Sequence, residues 1–385
     1  MDYGVEAINR HRASRGKVSI ASKMKVETME ELSIAYTPGV AAVSLAIAAD
    51  KSEVYALTNR GNNVAVVTDG SAVLGLGNIG PEAAMAVMEG KCILFKGLAD
   101  IDAFPICLAT QDSQAIIDTV RYIAPTFGGI NLEDISSPRC FEIEAALQDL
   151  GIPVFHDDQH GTAIVILATI INALQVVGKK IEEVKIVFSG AGAGSIASAK
   201  LLVEYGATNV LLVDSQGLVH QGRTDLNPIK AGMLKITNPD NVTGSLADAM
   251  QLADVFVGLS AGGIVTQDMV RSMAPGAAVF AAANPTPEIM PDLAQEAGAV
   301  VIGTGRSDFP NQINNSLAFP GVFRGALDVR ATRITDRMKI AGAEALAGLV
   351  AKPTADRIIP WSLDKDVVPA VSHAVARAWQ SEHGH

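Results

Sequence analysis

From residue 62 to residue 305, short apolar runs alternate with longer segments of helical period, the pattern of a parallel α/β fold. Asn62–Gly70 (NNVAVVTDG) predicts a strand ending in a turn. Pro81 opens a helix over PEAAMAVMEG that Gly90 is expected to end, after which CILFKGLA (92–99) predicts a strand. A helix over 113–127 with Ser113 as its cap, a strand over GINLEDI (129–135), a helix closed by Gly151 and a strand over IPVFHDD (152–158) follow. Residues 161–178 read as a long apolar helix. Beyond it come the strand VKIVFSG (184–190), a helix over 194–205 and the strands NVLLVD (209–214), DVFVGLS (254–260), AAVFAAAN (277–284) and AVVIGTG (299–305). Strands this uniformly apolar are buried on both faces. Three helices close the chain, over 319–328, 335–350 and 366–380. The first 60 residues are mixed: 25–37 read as a loop, Pro38-Gly39 as a turn, and Val40–Ala49 as a helix of small residues.

The 385 residues, 49% of them hydrophobic, suffice for two domains. The longest apolar stretch, Ala163 to Ile171, is short of the ~20 residues that cross a membrane. No signal-like segment opens the chain, so a cytoplasmic protein with no membrane partner is expected. A formal net charge of −11 speaks against nucleic-acid partners. It does not exclude an anionic substrate, because a bound metal can dominate the local field. Cys92, Cys107 and Cys140 form no CxxC pair and read as reduced thiols.

Two features carry chemistry. After the strand at 184–190, Gly190-Ala191-Gly192-Ala193-Gly194-Ser195 opens a helix, with Asp214 ending the next strand 20 residues past Gly194. That context predicts a dinucleotide site, with pyrophosphate at the helix N-terminus and Asp214 on the adenosine ribose. Ser195 stands where the third glycine of the fingerprint is usual, and being small it can still pack there. Asp214 favours NAD over NADP by repelling a 2′-phosphate, although Arg223 and Lys230 are near enough in sequence to offset it. Ahead of this loop, Glu133-Asp134 and Asp157-Asp158 stand at two strand ends, where open α/β sheets bind ligands. Carboxylates without thiolates suit Mn2+ or Mg2+. His156 and His160, at i and i+4, have zinc-like spacing, but they span a strand-to-helix junction where a shared face is not assured.

Eight motifs in order resemble the malic enzymes in their short bacterial form: AYTPGVA, VTDGSAVLGLGNIG, MEGKCILFKGLADIDAFP, NLED, FHDDQHGTA, the GAGAGS loop, ANPTPE and NNSLAFPG. The resemblance covers nearly the whole chain. It implies an α/β substrate domain at 1–157, a Rossmann-like doubly wound parallel-sheet domain at 158–314, and C-terminal helices at 315–385 that pack back on the first domain. It implies Tyr36 as general acid, Lys91 as general base, and Glu133, Asp134 and Asp158 as metal ligands. Gly190, Gly192, Ala193, Gly194, Ser195, Asp214 and Asn284 are implied for the cofactor. Lys91, Asn284 and Asn315 are implied for substrate, with Asn314 the alternative register for the last. Longer members hold a malate carboxylate with an arginine in a DG-x-R stretch; here that stretch is Asp69-Gly70-Ser71-Ala72-Val73, leaving Arg60 or the 75–78 turn as alternatives.

The activity implied is oxidative decarboxylation of (S)-malate to pyruvate by a homodimer. The 2-hydroxyl loses its proton as hydride leaves for NAD or NADP, oxaloacetate loses carbon dioxide, and the tyrosine protonates enolpyruvate. Burial and a dication are expected to bring Lys91 to a neutral amine that can act as base. A divalent metal holds the enolate charge. Malolactic conversion to lactate and non-catalytic nucleotide sensing are the alternative readings.

Overall fold

The computed structural model describes residues 3–384. Four helices lead in: α1 (Tyr3–Ser14), α2 (Met29–Ala35), α3 (Gly39–Ala49) and α4 (Val54–Leu57). Then β1 (Asn63–Thr68), α5 (Pro81–Ala99), β2 (Asp102–Cys107), α6 (Ser113–Ile123), β3 (Gly129–Leu132), α7 (Arg139–Ala146) and β4 (Val154–His156) build a parallel sheet of order β2-β1-β3-β4. Val64 and Val66 of β1 point into one core while Ala65 and Val67 point into another, the period-2 alternation of a strand covered on both faces.

Helix α8 (Asp157–Val177) starts directly after β4 and leads to the second sheet. That sheet is built from β5 (Lys185–Ser189), α9 (Ala193–Tyr205), β6 (Asn209–Asp214), β7 (Gly217–Leu218), α10 (Pro228–Met233), α11 (Leu246–Met250), β8 (Val255–Gly258), α12 (Gln267–Arg271), β9 (Ala278–Ala281), α13 (Pro291–Glu296) and β10 (Val301–Thr304). Its order is β10-β9-β8-β5-β6-β7, parallel except for the short antiparallel edge β7. The order reverses between β5 and β8, which opens a crevice at the carboxyl end of β5, where the glycine loop lies.

Three helices follow: α14 (Phe319–Asp328), α15 (Asp336–Gly348) and α16 (Val367–His383). Phe319 and Phe323 of α14 meet Phe95 of α5 edge-to-face at 4.7 and 5.3 Å, and Phe323 also meets Phe155 of β4 at 5.7 Å. One apolar core runs from α5 through α8 and α9 to these C-terminal helices. Asn172 of α8 ties it further by donating to the carbonyls of Ala347 and Ile358.

Three expectations from the sequence are corrected. Residues 92–99 are not a strand: α5 runs through Gly90 to Ala99. Met88, Cys92, Phe95 and Ala99 are buried at steps of four, three and four, which a helix places on one face and a strand would scatter. Their burial outweighs the roughly 1 kcal/mol that an internal glycine costs. Second, part of the loop expected over 25–37 is helix α2, started by a capping box in which Thr28 accepts from the Glu31 backbone and Glu31 reaches back. Third, Asp112 rather than Ser113 caps α6, its carboxylate accepting from the Ala115 N–H at 2.7 Å.

Candidate active site

The carboxyl ends of β3 and β4 and the middle of α5 converge on a cavity of about 910 Å3 lined by Lys91, Glu133, Asp134, Asp158, Asn314 and Asn315. Ala72 and three cationic or titratable side chains of the N-terminal segment, His11, Arg12 and Lys17, share the wall. Glu133 and Asp134 follow β3 immediately, and Asp134 adopts left-handed backbone, φ 54°, which aspartate tolerates better than most residues. The turn aims the Asp134 N–H at Asp158, whose Oδ2 accepts it at 2.9 Å. Asp157 and Asp158 are the first two residues of α8, where the helix dipole favours negative charge.

Lys91 is nearly buried, with Nζ 2.5 Å from Asp157 Oδ2, 3.0 Å from Glu133 Oε1 and 4.7 Å from the centre of the Phe319 ring. Burial alone would lower its pKa. The carboxylates of Asp157, Glu133 and Asp158 outweigh burial and hold it well above the usual lysine range. The neutral amine expected from the sequence is therefore not the form that the protein's own charges favour: they stabilise an ammonium. Burial also pushes the carboxyls of Asp157, Glu133 and Asp158 upward against the pull of Lys91, furthest for Asp157.

Glu133, Asp134 and Asp158 each place one oxygen so that all three lie within 4.8 Å of one another. Three hard donors in a buried pocket fit an oxygen-seeking dication such as Mn2+ or Mg2+, and the crowding of carboxylates around a single ammonium supplies an electrostatic reason to hold one. The histidines do not form a second ligand pair. His156 is buried with Nδ1 3.8 Å from Asp158 Oδ2, whereas His160 Nε2 turns to Glu144 at 2.9 Å. Glu144 also accepts from the His156 N–H and from Gln159. Burial works to raise the Glu144 carboxyl, but His160 and His156 beside it bring it down to about 2.

The glycine loop abuts this pocket. Gly190 has φ 101°, and a Cβ there would sit 2.6 Å from the Leu259 carbonyl, so only glycine passes the end of β8. A Cβ at Gly194 would lie 3.2 Å from both the Asp158 carbonyl and the Thr162 side chain. Gly194 thus performs the close packing that the fingerprint assigns to its third glycine, and Ser195 is buried beside it. Gly192 is the N-cap of α9, so the helix begins directly beyond the loop that ends β5, and a helix start of this kind suits an anion.

Four sequence-picked residues lie elsewhere. Tyr36, at the end of α2, is 66% exposed, and it is not among the described residues that line the cavity. Asn284 occupies an exposed loop after β9, ahead of a cis peptide to Pro285. Asp214 ends β6 but is tied up by Arg223 and Lys230. Arg60 donates to the Phe127 carbonyl and lies over the Tyr55 ring, so it is directed away from the cavity.

Sequence reasoning missed two braces. Arg139 joins Asp69 at 2.7 Å, Ser71 and Ser136, holding the loop after β1 against the loop after β3. Glu288 accepts from the backbone of Ser260 and Ala283, locking the loops after β8 and β9 together. No local pattern marks either residue, because each joins loops that only the fold brings together, Arg139 reaching Asp69 and Glu288 reaching Ser260, both tens of residues away.

Residues 14–117 match the family model described as malic enzyme, N-terminal domain, and residues 159–380 match malic enzyme, NAD binding domain. The chain is 55% identical to the bifunctional malic/malolactic enzyme of Bacillus subtilis, over 98% of this chain and 93% of that one. It is 50% identical to an NADP-dependent malic enzyme of Halomonas elongata, over 94% and 90%. The crystal structure of an NAD-dependent malic enzyme from Thermotoga maritima superposes with a TM-score of 0.94 at 48% identity, covering 96% of this chain and 98% of that one.

Proposed function

The chain belongs to the malic enzyme family, and on that footing we propose how its own residues divide the oxidative decarboxylation of malate to pyruvate and carbon dioxide. NAD or NADP accepts the hydride. The observation that supports the assignment is the placement of Lys91 between Asp157 and Glu133, beside three clustered oxygens and under the nucleotide loop.

Glu133, Asp134 and Asp158 hold the divalent metal. When bound, that ion supplies Lewis-acid stabilisation of negative charge developing on the substrate. Lys91 accepts the 2-hydroxyl proton. To do so it first gives up its own, and Asp157, 2.5 Å away with its carboxyl pushed up by burial, is the group placed to hold that proton. Asn315, on the cavity wall, orients substrate. Asn284, in the loop after β9, and the start of α9 would contact the cofactor. Tyr36 protonates carbon 3 of enolpyruvate. Incubation with malate, Mn2+ and NAD or NADP yields reduced cofactor and pyruvate in equal amounts. Lactate without net cofactor reduction would replace this reading by the malolactic one, and cofactor binding without turnover would replace it by a sensor.

Tyr36 reaches a site only if something brings it there. No residue of α1, α2 or α3 is buried, and Met29, Ile34 and Leu45 are exposed on an apolar segment. Contiguous apolar surface of this kind marks an interaction face. A second copy of the chain is the occupant that also completes the chemistry: a homodimer whose α2–α3 segments cover the partner subunit and deliver Tyr36 to its cavity. Mixing inactive Tyr36→Phe and Lys91→Met chains then restores about one quarter of the wild-type rate, the share expected from random pairing under two-fold symmetry. No recovery places the tyrosine within its own subunit, and a monomer in sedimentation removes the dimer altogether.

A further inference from the structure

Helix α8 carries Asp157 and Asp158 in its first turn, yet its own N-cap residue does not hold that turn: the side chain of His156 makes no capping bond. The first N–H groups of a helix lack intrahelical partners, and unrestrained helix ends fray. Here the restraint comes from α7. Glu144, 8% exposed, turns its carboxylate onto the start of α8. Its Oε1 accepts the His156 N–H at 3.0 Å, and its Oε2 accepts from Gln159 Nε2 at 3.0 Å. His160 Nε2 lies 2.9 Å from Oε1 and 3.0 Å from Oε2, and toward an ionised carboxylate it must donate. In a capping box the N-cap N–H is met by an acid three residues along the same helix; in this chain an acid from another helix takes that place.

The three bonds bracket the two acids, at 156 before them and at 159 and 160 after them. Asp157 and Asp158 themselves bond elsewhere, to Lys91 and to the Asp134 N–H. Glu144 therefore holds the backbone that carries them and leaves their oxygens to those partners. Helix α7 is fastened at its other end as well. Its first residue, Arg139, bonds Ser71 and Ser136, next to the Ala72 N–H that donates to the Asp134 carbonyl at 2.9 Å. One helix thus links the two turns that bring Asp134 and Asp158 together.

We propose that Glu144 is a positioning residue for the metal ligands and for Lys91, acting through the first turn of α8 by the reach of its two oxygens rather than by its charge. The proposal rests on the metal reading above for its binding assay; hydrogen exchange tests it without a metal.

The full-length protein is compared with three variants. Glu144→Met keeps the volume and has no oxygen. Glu144→Gln keeps an oxygen for the His156 N–H and meets Gln159 once that amide turns over. Glu144→Asp keeps the charge but is one methylene short. In calorimetry the Mn2+ affinity falls about 10- to 100-fold in Glu144→Met, the range for losing a group that supports a ligand, and at least about tenfold in Glu144→Asp. It stays within about fivefold of wild type in Glu144→Gln, which loses only the charge assistance of its bonds. The kcat for malate falls in the same order. Exchange of the His156 N–H speeds up in Glu144→Met and Glu144→Asp and stays slow in Glu144→Gln, while the middle of α8 remains protected in all three. The glutamine and aspartate variants decide the matter even where the methionine variant fails to fold. Wild-type Mn2+ affinity in folded Glu144→Asp, or a larger loss in Glu144→Gln than in Glu144→Asp, would overturn the proposal. A wild type that binds no Mn2+ would count against the metal reading instead; the positioning role is then judged on exchange alone, and unchanged exchange at His156 in Glu144→Asp overturns it.

Discussion

Replacing Lys91 by methionine lowers kcat for malate oxidation by about 10³- to 10⁴-fold, the upper range for losing a positioned acid–base group. The amine is the only basic side chain bonded to both Asp157 and Glu133 among the described residues. Methionine keeps the volume beside Phe319 and preserves the core that joins α5 to α14. Cofactor binding, measured by calorimetry, is retained, because the glycine loop is built on β5 and α9. The substitution still has a stability cost, since it leaves buried carboxylates without their ammonium. The sign of its pH dependence follows. Burial raises the carboxyls of Glu133 and Asp157 in the folded state, so folding binds protons, and the destabilisation is felt above the unfolded pKa and relieved as pH falls. The gap in Tm between variant and wild type narrows from about pH 8 to about pH 5. A variant retaining more than about a tenth of wild-type kcat removes Lys91 from the base role.

Replacing Asp158 by alanine weakens Mn2+ binding by at least about 100-fold, beyond the 10- to 100-fold typical of losing a residue that only supports a ligand. Asp158 supplies one of three clustered oxygens and accepts the Asp134 N–H, so its removal takes away a donor and frees the turn that aims a second. Activity at ordinary Mn2+ concentrations falls by about three orders of magnitude, and added metal recovers part of it through mass action. Titration calorimetry with Mn2+ measures the affinity directly and needs no turnover. Unchanged affinity would move the metal away from this cluster. Asp157→Asn is the informative neighbour: it keeps the three donors and removes the carboxylate 2.5 Å from Lys91, so Mn2+ affinity survives while kcat falls.

The two-sheet architecture could be read from the chain because strand burial is written locally. Val64 to Val67, Ile186 to Phe188 and Val255 to Val257 are apolar on both faces, and turn residues separate them from amphipathic helices. Residues 92–99 misled that reading because CILF suits either element. The choice was made by Met88 and Ala99, at the two ends of the buried face, together with the aromatic cluster of Phe319 and Phe323 more than 200 residues away.

By itself the sequence determined the chemical inventory: a glycine loop after an apolar strand, acids at strand ends and a lysine in an ordered set of motifs, since identity and order are covalent facts. Only the tertiary structure decided how those groups are charged and oriented. It paired Lys91 with Asp157 as an ammonium, turned Asp214 inward onto Arg223 and Lys230, and left Tyr36 on the surface. The reason is physical: protonation and orientation depend on the dielectric surroundings and on neighbours within a few ångströms. For Lys91 those neighbours come from elements more than 40 residues away, which no local pattern of residues encodes.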